Sequence, residues 1–449
     1  MRKLFGTDGV RGIANKYPIT ADLALKLGKA ASVILRNGKK KPVFLIGKDT
    51  RLSGYMLEYA LTSGITSTGA DVFLVGPMPT PAIAHLTRSF AADAGIVISA
   101  SHNPAEDNGI KFFDNAGFKL PDSTEEKIEQ LIFGKNLDTY NVPADQIGRA
   151  HRIDDADGRY IEFAKGSINN LSLKGIRIAL DCANGAAYKV SPKIFAELGA
   201  ELIVMYNKPD GQNINKECGA LHPEIVRAAV LGHNADIGIA LDGDADRIIL
   251  VDEKGNILDG DQIMAMCALN LSEKDQLSNN AVVVTEYSNL AIDFLMQKQG
   301  MNVIRVKNGD RYVIEEMRKN HYNLGGEQSG HIIFLDHNTT GDGTIAALQV
   351  LKLMQNKNKK LSALAKVLDT LPQVLINVGV KKKLPFEQLP AVQEALSKAE
   401  KELGKEGRII VRYSGTQMMA RVMLEGRDDI LIKKLANKIA ESIKKEIGV

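Results

Sequence analysis

Three aspartates at alternate positions are the clearest candidates for chemistry in this chain. They lie in the stretch Asp242-Gly243-Asp244-Ala245-Asp246-Arg247, which separates two apolar runs. Carboxylates this close repel one another unless a cation gathers them, and all-oxygen ligation suits Mg²⁺, Mn²⁺ or Ca²⁺. An EF-hand does not fit, because Arg247 occupies the position that requires glycine and the flanking runs read as strands. The alternative is an exposed acidic turn without a metal.

A second polar cluster, Ser99-Ala100-Ser101-His102-Asn103-Pro104, follows a buried strand predicted at 95–99. Open α/β sheets usually bind ligands at the carboxyl ends of their strands. The pair Ser101 and His102 suggests an activated serine, but the Gly-x-Ser-x-Gly elbow is missing, and adjacent residues rarely direct the ring at the hydroxyl. Lys111 adds a charge near the same strand end that can neutralise an anion. The alternative is a turn whose side chains only cap backbone groups.

A third cluster, Arg412-Tyr413-Ser414-Gly415-Thr416, is followed by Arg421. An arginine fork, two hydroxyls and a glycine that frees backbone N–H groups are what a phosphate cradle needs. From spacing alone, a plain hairpin turn explains the same residues equally well.

Two glycine-rich loops complete the set. The loop Gly325-Gly326-Glu327-Gln328-Ser329-Gly330-His331 carries polar side chains that can hydrogen-bond the hydroxyls of a sugar. The loop Gly6-Thr7-Asp8-Gly9-Val10-Arg11-Gly12 contributes one arginine, with a solvated terminal loop as its alternative.

These clusters are predicted to lie on alternating strands and helices. Short β-branched runs followed by turns and amphipathic stretches are typical of βαβ units. The pattern predicts strands at 43–47, 72–75 and 95–99, at 176–180, 202–205 and 236–241, and at 282–284 and 303–306. From residue 372 it changes to α+β, with strands at 374–380, 409–411 and 422–424 and helices at 389–403 and 430–447.

Length and composition exclude several classes of protein. The 449 residues suggest about three domains at roughly 150 residues each. With 57 Lys and Arg against 54 Asp and Glu, the net charge of +3 is too balanced to indicate a nucleic acid or membrane partner. The 3 cysteines form no CxxC pair, so we expect free thiols and a cytoplasmic location. We expect no signal peptide or membrane-spanning helix, because no sufficiently long apolar run occurs.

Taken together and in this order, the clusters resemble those of the α-D-phosphohexomutase family over essentially the whole chain. The resemblance implies three related mixed-sheet α/β domains and a smaller C-terminal α+β domain around a central cleft. The expected bounds are 1–150 with a phosphoserine loop, 151–256 with a metal loop, 257–371 with a sugar-recognition loop, and 372–449 with a phosphate-binding loop.

The resemblance also implies roles for individual residues. Ser101 would carry a phosphoryl group, and one Mg²⁺ per chain would be bound by Ser101, Asp242, Asp244 and Asp246. The expected catalytic residues are Ser101, Lys111, Arg11, Arg247 and His331. The expected substrate-binding residues are Glu327, Ser329, His331, Arg412, Ser414, Gly415, Thr416 and Arg421. One departure is Gln417-Met418, where the family commonly has Glu-Pro.

The implied activity is that of an isomerase, which moves a phosphoryl group between the 6- and 1-oxygens of a hexose phosphate through a phosphoserine and a bisphosphorylated sugar. The segments at 5–12, 98–101 and 326–329 look most like bacterial members acting on glucosamine phosphates, which supply UDP-N-acetylglucosamine and cell-wall precursors. The expected partner is a small sugar phosphate, with no nucleic acid or membrane, and a homodimer is an open option. The alternatives are a preference for glucose or mannose phosphates, a phosphatase, and a non-enzymatic sugar-phosphate binding protein.

Overall fold

The computed structural model describes residues 3–6, 8–36, 38–39, 41–134, 136–414 and 418–449. The chain forms two compact units, of which the first comprises Met1–Tyr287 with Met301–Val367 and the second Ser288–Gly300 with Leu368–Val449. Among the described residues, no helix is both long and apolar enough to cross a membrane. The three cysteines are buried and free, as expected.

The first sheet has the strand order β1-β5-β4-β2-β3-β6. Its strands are β1 (Val10–Ile13), β2 (Val43–Lys48), β3 (Asp71–Pro77), β4 (Ala94–Ile98), β5 (Asp107–Asp114) and β6 (Ala150–Arg152). The pairs β2/β3, β2/β4 and β3/β6 are parallel, whereas β4/β5 and β1/β5 are antiparallel. The sheet is therefore mixed, with an antiparallel pair added to a parallel core.

The second sheet has the order β11-β10-β9-β7-β8. Its strands are β7 (Arg177–Asp181), β8 (Glu201–Met205), β9 (Ile237–Leu241), β10 (Ile248–Asp252) and β11 (Ile257–Leu258). The third sheet has the order β13-β12-β14-β15. Its strands are β12 (Ala281–Thr285), β13 (Asn302–Val306), β14 (Leu324–Gly326) and β15 (Ile332–Phe334).

One arrangement recurs in all three sheets. In each sheet, the first strand of a set of four pairs in parallel with the second strand on one side and the third strand on the other. The chain then turns back into a fourth strand, which runs antiparallel beside the third. The three sets are β2-β3-β4-β5, β7-β8-β9-β10 and β12-β13-β14-β15. The third strand of the first two sheets, β4 and β9, is buried along its whole length, as the continuous apolar runs predicted. The expectation of three related mixed-sheet α/β domains is confirmed.

The helices of the two units have bounds that agree within two residues with the sequence prediction where one was made. They are α1 (Ala21–Leu35), α2 (Ser53–Thr66), α3 (Thr80–Ser89), α4 (Asp122–Phe133), α5 (Ala156–Gly166), α6 (Val190–Glu197), α7 (Pro223–His233), α8 (Gly260–Ser272), α9 (Ala291–Lys298), α10 (Asp310–Asn320), α11 (Gly343–Lys357), α12 (Leu361–Ala365), α13 (Pro390–Leu403) and α14 (Asp429–Ile447). Proline in the first turn begins α3, α7 and α13, where its missing N–H costs nothing.

The second unit contains an antiparallel sheet in the order β16-β18-β17. Its strands are β16 (Gln373–Gly379), β17 (Gly407–Tyr413) and β18 (Met419–Gly426). One face of the sheet packs on α13 and α14, whose buried apolar residues include Val392, Ile439 and Ile443. This smaller α+β domain agrees with the expected C-terminal architecture.

Candidate functional site

Three polar clusters of the first unit lie on equivalent turns. The serine cluster joins β4 to β5, the aspartate loop joins β9 to β10, and the loop at 327–331 joins β14 to β15. The hydroxyl of Ser101 lies 2.7 Å from Asp242 Oδ2 and donates a hydrogen bond to it. The N–H of Ile248, directly after the aspartate loop, donates to the carbonyl of Gly330 at 3.0 Å. The three turns therefore meet at one site.

Ser101 is 1% exposed and adopts a φ of 52°, which non-glycine residues rarely do. Its Oγ also lies 3.3 Å from Nδ1 of His102, a contact that the sequence analysis regarded as rare for adjacent residues. Adjacent side chains rarely meet in this way on an extended or helical backbone, but Ser101 has a left-handed backbone conformation, which changes the relative direction of the two side chains. Burial, together with Arg247 and Arg11, lowers the pKa of His102 to about 4. The ring is therefore neutral at pH 7.

Asp242, Asp244 and Asp246 are at most 4% exposed, so this is not an exposed acidic turn. One oxygen from each lies within 4.8 Å of the others. Asp244 Oδ1 and Asp246 Oδ1 are buried and have no hydrogen-bond donor among the described residues. Hard cations are bound by oxygen ligands of this kind. The arrangement fits a divalent metal ion such as Mg²⁺.

The pKa values of the aspartates reflect the repulsion between their carboxylates, which a bound cation would relieve. Burial, with the negative charges of Asp246 and Asp244, raises the pKa of Asp242 well above its usual range. Burial also acts to raise the pKa of Asp246, but His331, Lys111 and Arg247 outweigh it and lower that pKa. The positive charges of the protein therefore outweigh burial at Asp246, whereas at Asp242 the effect of Arg247 is smaller than that of burial and the neighbouring carboxylates.

Lys111 and Arg11 enter the site from neighbouring strands. Arg11 on β1 lies opposite Gly109 on β5, so its side chain shares a face with Lys111. Lys111 Nζ lies 2.8 Å from Asp244 Oδ2 and 3.1 Å from Asp8. Burial acts to lower the pKa of Lys111, but the carboxylates of Asp244 and Asp8 outweigh it and raise the pKa above its usual range. Lys111 is therefore protonated at neutral pH.

Arg247 and His331 both lie close to Asp246. Arg247 Nε lies 3.9 Å from Asp246 Oδ1. The His331 ring is 1% exposed and lies between two carboxylates, 3.5 Å from Asp246 through Nδ1 and 3.5 Å from Asp310 through Nε2. Both residues predicted from the sequence are therefore at the site, and both contact acidic groups.

The loop at 327–331 is held by its own hydrogen bonds. Glu327 accepts from the Gly309 N–H at 3.1 Å and from the Ser329 hydroxyl at 3.1 Å. Gly330 has a φ of 92°, and a Cβ there would lie 2.0 Å from the carbonyl oxygen of Ile248. Glycine is required at this position because the loop packs directly on Ile248, the residue that follows the aspartate loop.

Sequence reasoning missed several residues that the structure places at this site. Thr80, at the start of α3, donates to Asp244 Oδ2 at 2.7 Å and is fully buried. Lys119 contacts both Asp8 and Asp310, which links the N-terminal loop to α10. The proline-rich turn around Thr80 indicates where α3 begins, but it does not indicate that Thr80 contacts Asp244.

The predicted phosphate cradle lies in the second unit, on the hairpin of β17 and β18. Arg412 and Arg421 are directly opposite in the register of these strands, where like charges are destabilising. Ser414 is 6% exposed, and its carbonyl accepts from Lys383 Nζ at 2.6 Å, a third cation that sequence reasoning missed. Gly415 and Thr416, like Gln417, lie outside the described residues. Two arginines side by side on this hairpin are the kind of donors that bind a phosphate group.

Four family models match consecutive parts of this chain. They describe the phosphoglucomutase/phosphomannomutase α/β/α domains I, II and III, at residues 2–138, 158–255 and 259–371, and the C-terminal domain of the same proteins, at 375–442. Together they span most of the sequence.

Curated relatives are similar to the chain over its full length. A phosphoglucosamine mutase of Citrifermentans bemidjiense is 56% identical over 449 residues, which covers 100% of this chain and 99% of the relative. A phosphoglucosamine mutase of Myxococcus xanthus is 54% identical and covers 100% of this chain and 98% of the relative.

Solved structures share the fold at lower identity. A phosphoglucomutase/phosphomannomutase family protein of Burkholderia thailandensis superimposes with a TM-score of 0.80 at 22% identity, covering 99% of each chain. An N-acetylphosphoglucosamine mutase of Aspergillus fumigatus, in complex with GlcNAc-6P and magnesium, has a TM-score of 0.68 at 18% identity, covering 99% of this chain and 96% of that one.

Proposed function

Because this chain belongs to the phosphoglucomutase/phosphomannomutase family, we propose that it is a phosphoglucosamine mutase, which interconverts glucosamine 6-phosphate and glucosamine 1-phosphate. The observation that carries the proposal is the hydroxyl of Ser101, which donates at 2.7 Å to Asp242, one member of a buried triad of carboxylates. Full-length relatives named phosphoglucosamine mutase, at 53–56% identity, support the choice of sugar.

The reaction begins with Ser101 phosphorylated. A free hydroxyl of the sugar phosphate attacks the phosphoryl group, so that the bond from phosphorus to Ser101 Oγ breaks and a bond to the sugar oxygen forms. The product of this step is a bisphosphorylated sugar. Its other phosphate then returns to Ser101, which regenerates the phosphoserine and releases the isomer.

Ser101, Asp242, Asp244 and Asp246 would hold one Mg²⁺, which supplies charge neutralisation for the phosphoryl group during transfer. Arg247, Lys111 and Arg11 add positive charge from the protein itself. The raised pKa of Lys111 keeps its amine protonated, which suits it to stabilise charge or to give a proton to Oγ rather than to remove one. His331 is the other candidate for moving the hydroxyl proton.

The phosphate that does not react would bind the loop of Arg412, Ser414, Gly415, Thr416 and Arg421, and the sugar hydroxyls would bind Glu327, Ser329 and His331. Support comes from the opposed arginines of β17 and β18, which an anion would stabilise. Since the proposed mechanism uses one donor serine and one phosphate-binding loop, the two ends of the sugar must exchange places between the transfers. The domain bounds, the cytoplasmic location and the homodimer stay predictions.

The decisive experiment compares isomerisation of glucosamine 6-phosphate with that of glucose and mannose phosphates. Ser101→Ala is expected to abolish the activity, because it removes the hydroxyl that carries the phosphoryl group. Intact-mass analysis should show one phosphate on the active enzyme and none on the variant. A clear preference for mannose 1-phosphate would refute the substrate assignment, and release of inorganic phosphate at the rate of sugar turnover would indicate a phosphatase.

A further inference from the structure

The backbone that carries Ser101 is gathered around one buried arginine. Arg51, in the turn between β2 and α2, is fully buried. Its Nη2 donates to the carbonyls of Ser101 at 3.0 Å and Asn103 at 2.8 Å, and its Nη1 donates to Asp107 at 3.0 Å and also to Pro104. One guanidinium therefore binds four carbonyls of a seven-residue stretch, 101–107.

The amide side of Ser101 is fixed through the same arginine. Arg51 Nε donates to Asp49 Oδ2 at 2.8 Å, and the Ser99 hydroxyl donates to that oxygen at 2.6 Å. The N–H of Ser101 then donates to Ser99 Oγ at 2.9 Å. Both polar groups of the Ser101 backbone are thus held, which explains how a serine keeps an otherwise unfavourable left-handed conformation.

A second residue holds the same carbonyls from the region of the second sheet. Asn215 Nδ2 lies 2.9 Å from the carbonyl oxygen of Ser101 and 3.0 Å from that of Asn103. A Cβ at Gly243 would lie 2.6 Å from the Ser101 carbonyl oxygen, so the aspartate loop packs directly on this peptide. The serine turn is therefore fixed relative to the carboxylates as well as within its own sheet.

We propose that Arg51 and Asn215 are positioning residues that keep the phosphorylated serine stationary during both transfers. The proposal rests on the proposed function, in which one serine must face two different sugar oxygens in succession. With the donor clamped from both sides, the reorientation is left entirely to the sugar. Phosphoryl transfer needs in-line geometry, and a misplacement of about 1 Å costs about 100-fold in rate.

The test uses Asn215→Ala, with Asn213→Ala as its matched control. Asn213 is in the same segment, but its amide donates to the Lys208 carbonyl within that segment. Enzyme labelled with radioactive phosphate on Ser101 is mixed with glucosamine 6-phosphate in a single turnover, and label on the sugar and label released as inorganic phosphate are both followed. We expect the transfer rate and kcat of Asn215→Ala to fall about 10- to 100-fold, with KM little changed and a larger share of label lost to water. Asn213→Ala should match the unmutated enzyme.

Arg51→Lys supplies a second variant, because one ammonium cannot reach carbonyls and Asp49 as the planar fork does. It should show the same loss of transfer when it is assayed well below its melting temperature, where the variant is still folded. If folded Asn215→Ala and Arg51→Lys transfer label as fast as the control, the positioning role is wrong while the proposed function stands. If the unmutated protein transfers label to no hexose phosphate, the proposed function is wrong and the positioning role falls with it.

Discussion

Replacing Thr80 by valine should weaken metal binding without changing any metal ligand. The hydroxyl of Thr80 donates to Asp244 Oδ2 at 2.7 Å, and Lys111 donates to the same oxygen at 2.8 Å. The second oxygen, Oδ1, has no donor among the described residues and is the one free to bind a cation. The threonine therefore fixes which oxygen of Asp244 is presented to the metal.

The size of the effect follows from this geometry. A hydrogen bond to a charged group contributes about 1.5–3 kcal/mol, and loss of a partner that orients a ligand typically reduces metal affinity about 10- to 100-fold. At about 1.4 kcal/mol per factor of ten, the two ranges agree. Since Lys111 still holds Oδ2, we expect a value near the lower end, about tenfold.

Thr87→Val is the matched control for this substitution. Thr87 is buried on the same helix, α3, and its hydroxyl donates to the Ile83 carbonyl at 2.7 Å, away from the metal loop. Both variants lose one hydroxyl, so both should lose some thermal stability. Only Thr80→Val should shift the Mg²⁺ concentration that gives half-maximal isomerisation, and calorimetric titration with Mn²⁺ should show the same shift. Equal midpoints for the two variants would refute the orienting role of Thr80.

Three further results are expected. Arg421→Gln should raise KM for the sugar phosphate about tenfold or more, because a charged phosphate donor is lost. The melting temperature of the free enzyme should stay unchanged or rise, because the substitution removes the repulsion with Arg412. Arg427→Gln, at an exposed position near the end of β18, controls for net charge, and an equal KM in both variants would contradict the phosphate-binding role. Gly243→Ala should lower kcat and cost about 1–3 kcal/mol in the free energy of unfolding, since its Cβ would lie 2.6 Å from the Ser101 carbonyl oxygen; full activity in a stable variant would show that the loops need not touch. Burial raises the pKa of Cys267 to about 12, so the thiol stays protonated at pH 8 and should react with iodoacetamide only after denaturation, which peptide mass analysis of native and unfolded protein can check.

Most strand positions could be predicted because each of the first three sheets has a central strand made of a short apolar run that is buried along its length. The run predicted at 236–241, for example, is β9 at Ile237–Leu241. The residues that bind each other across the sheets left no such pattern. Thr80, Arg51 and Asn215 have ordinary sequence neighbours, and their roles depend on partners far away in the chain. Lys111 was expected near the end of the strand at 95–99, but the strand that carries it, β5 at Asp107–Asp114, was not predicted.

The repeated topology explains why the motifs look unrelated although their positions are equivalent. In each of the three sheets, the site loop is the turn from the third parallel strand into the antiparallel strand beside it. That turn places backbone groups and side chains at the carboxyl end of a buried strand, where ligands bind in open sheets. The fold fixes only the location of the turn, so its residues can differ freely: a serine in the first, carboxylates in the second, and Glu327 with Ser329 in the third. Chemistry that no single sheet could provide is thus divided among three copies of one structural unit, and the contacts between their turns, such as that of Ser101 with Asp242, make them one site.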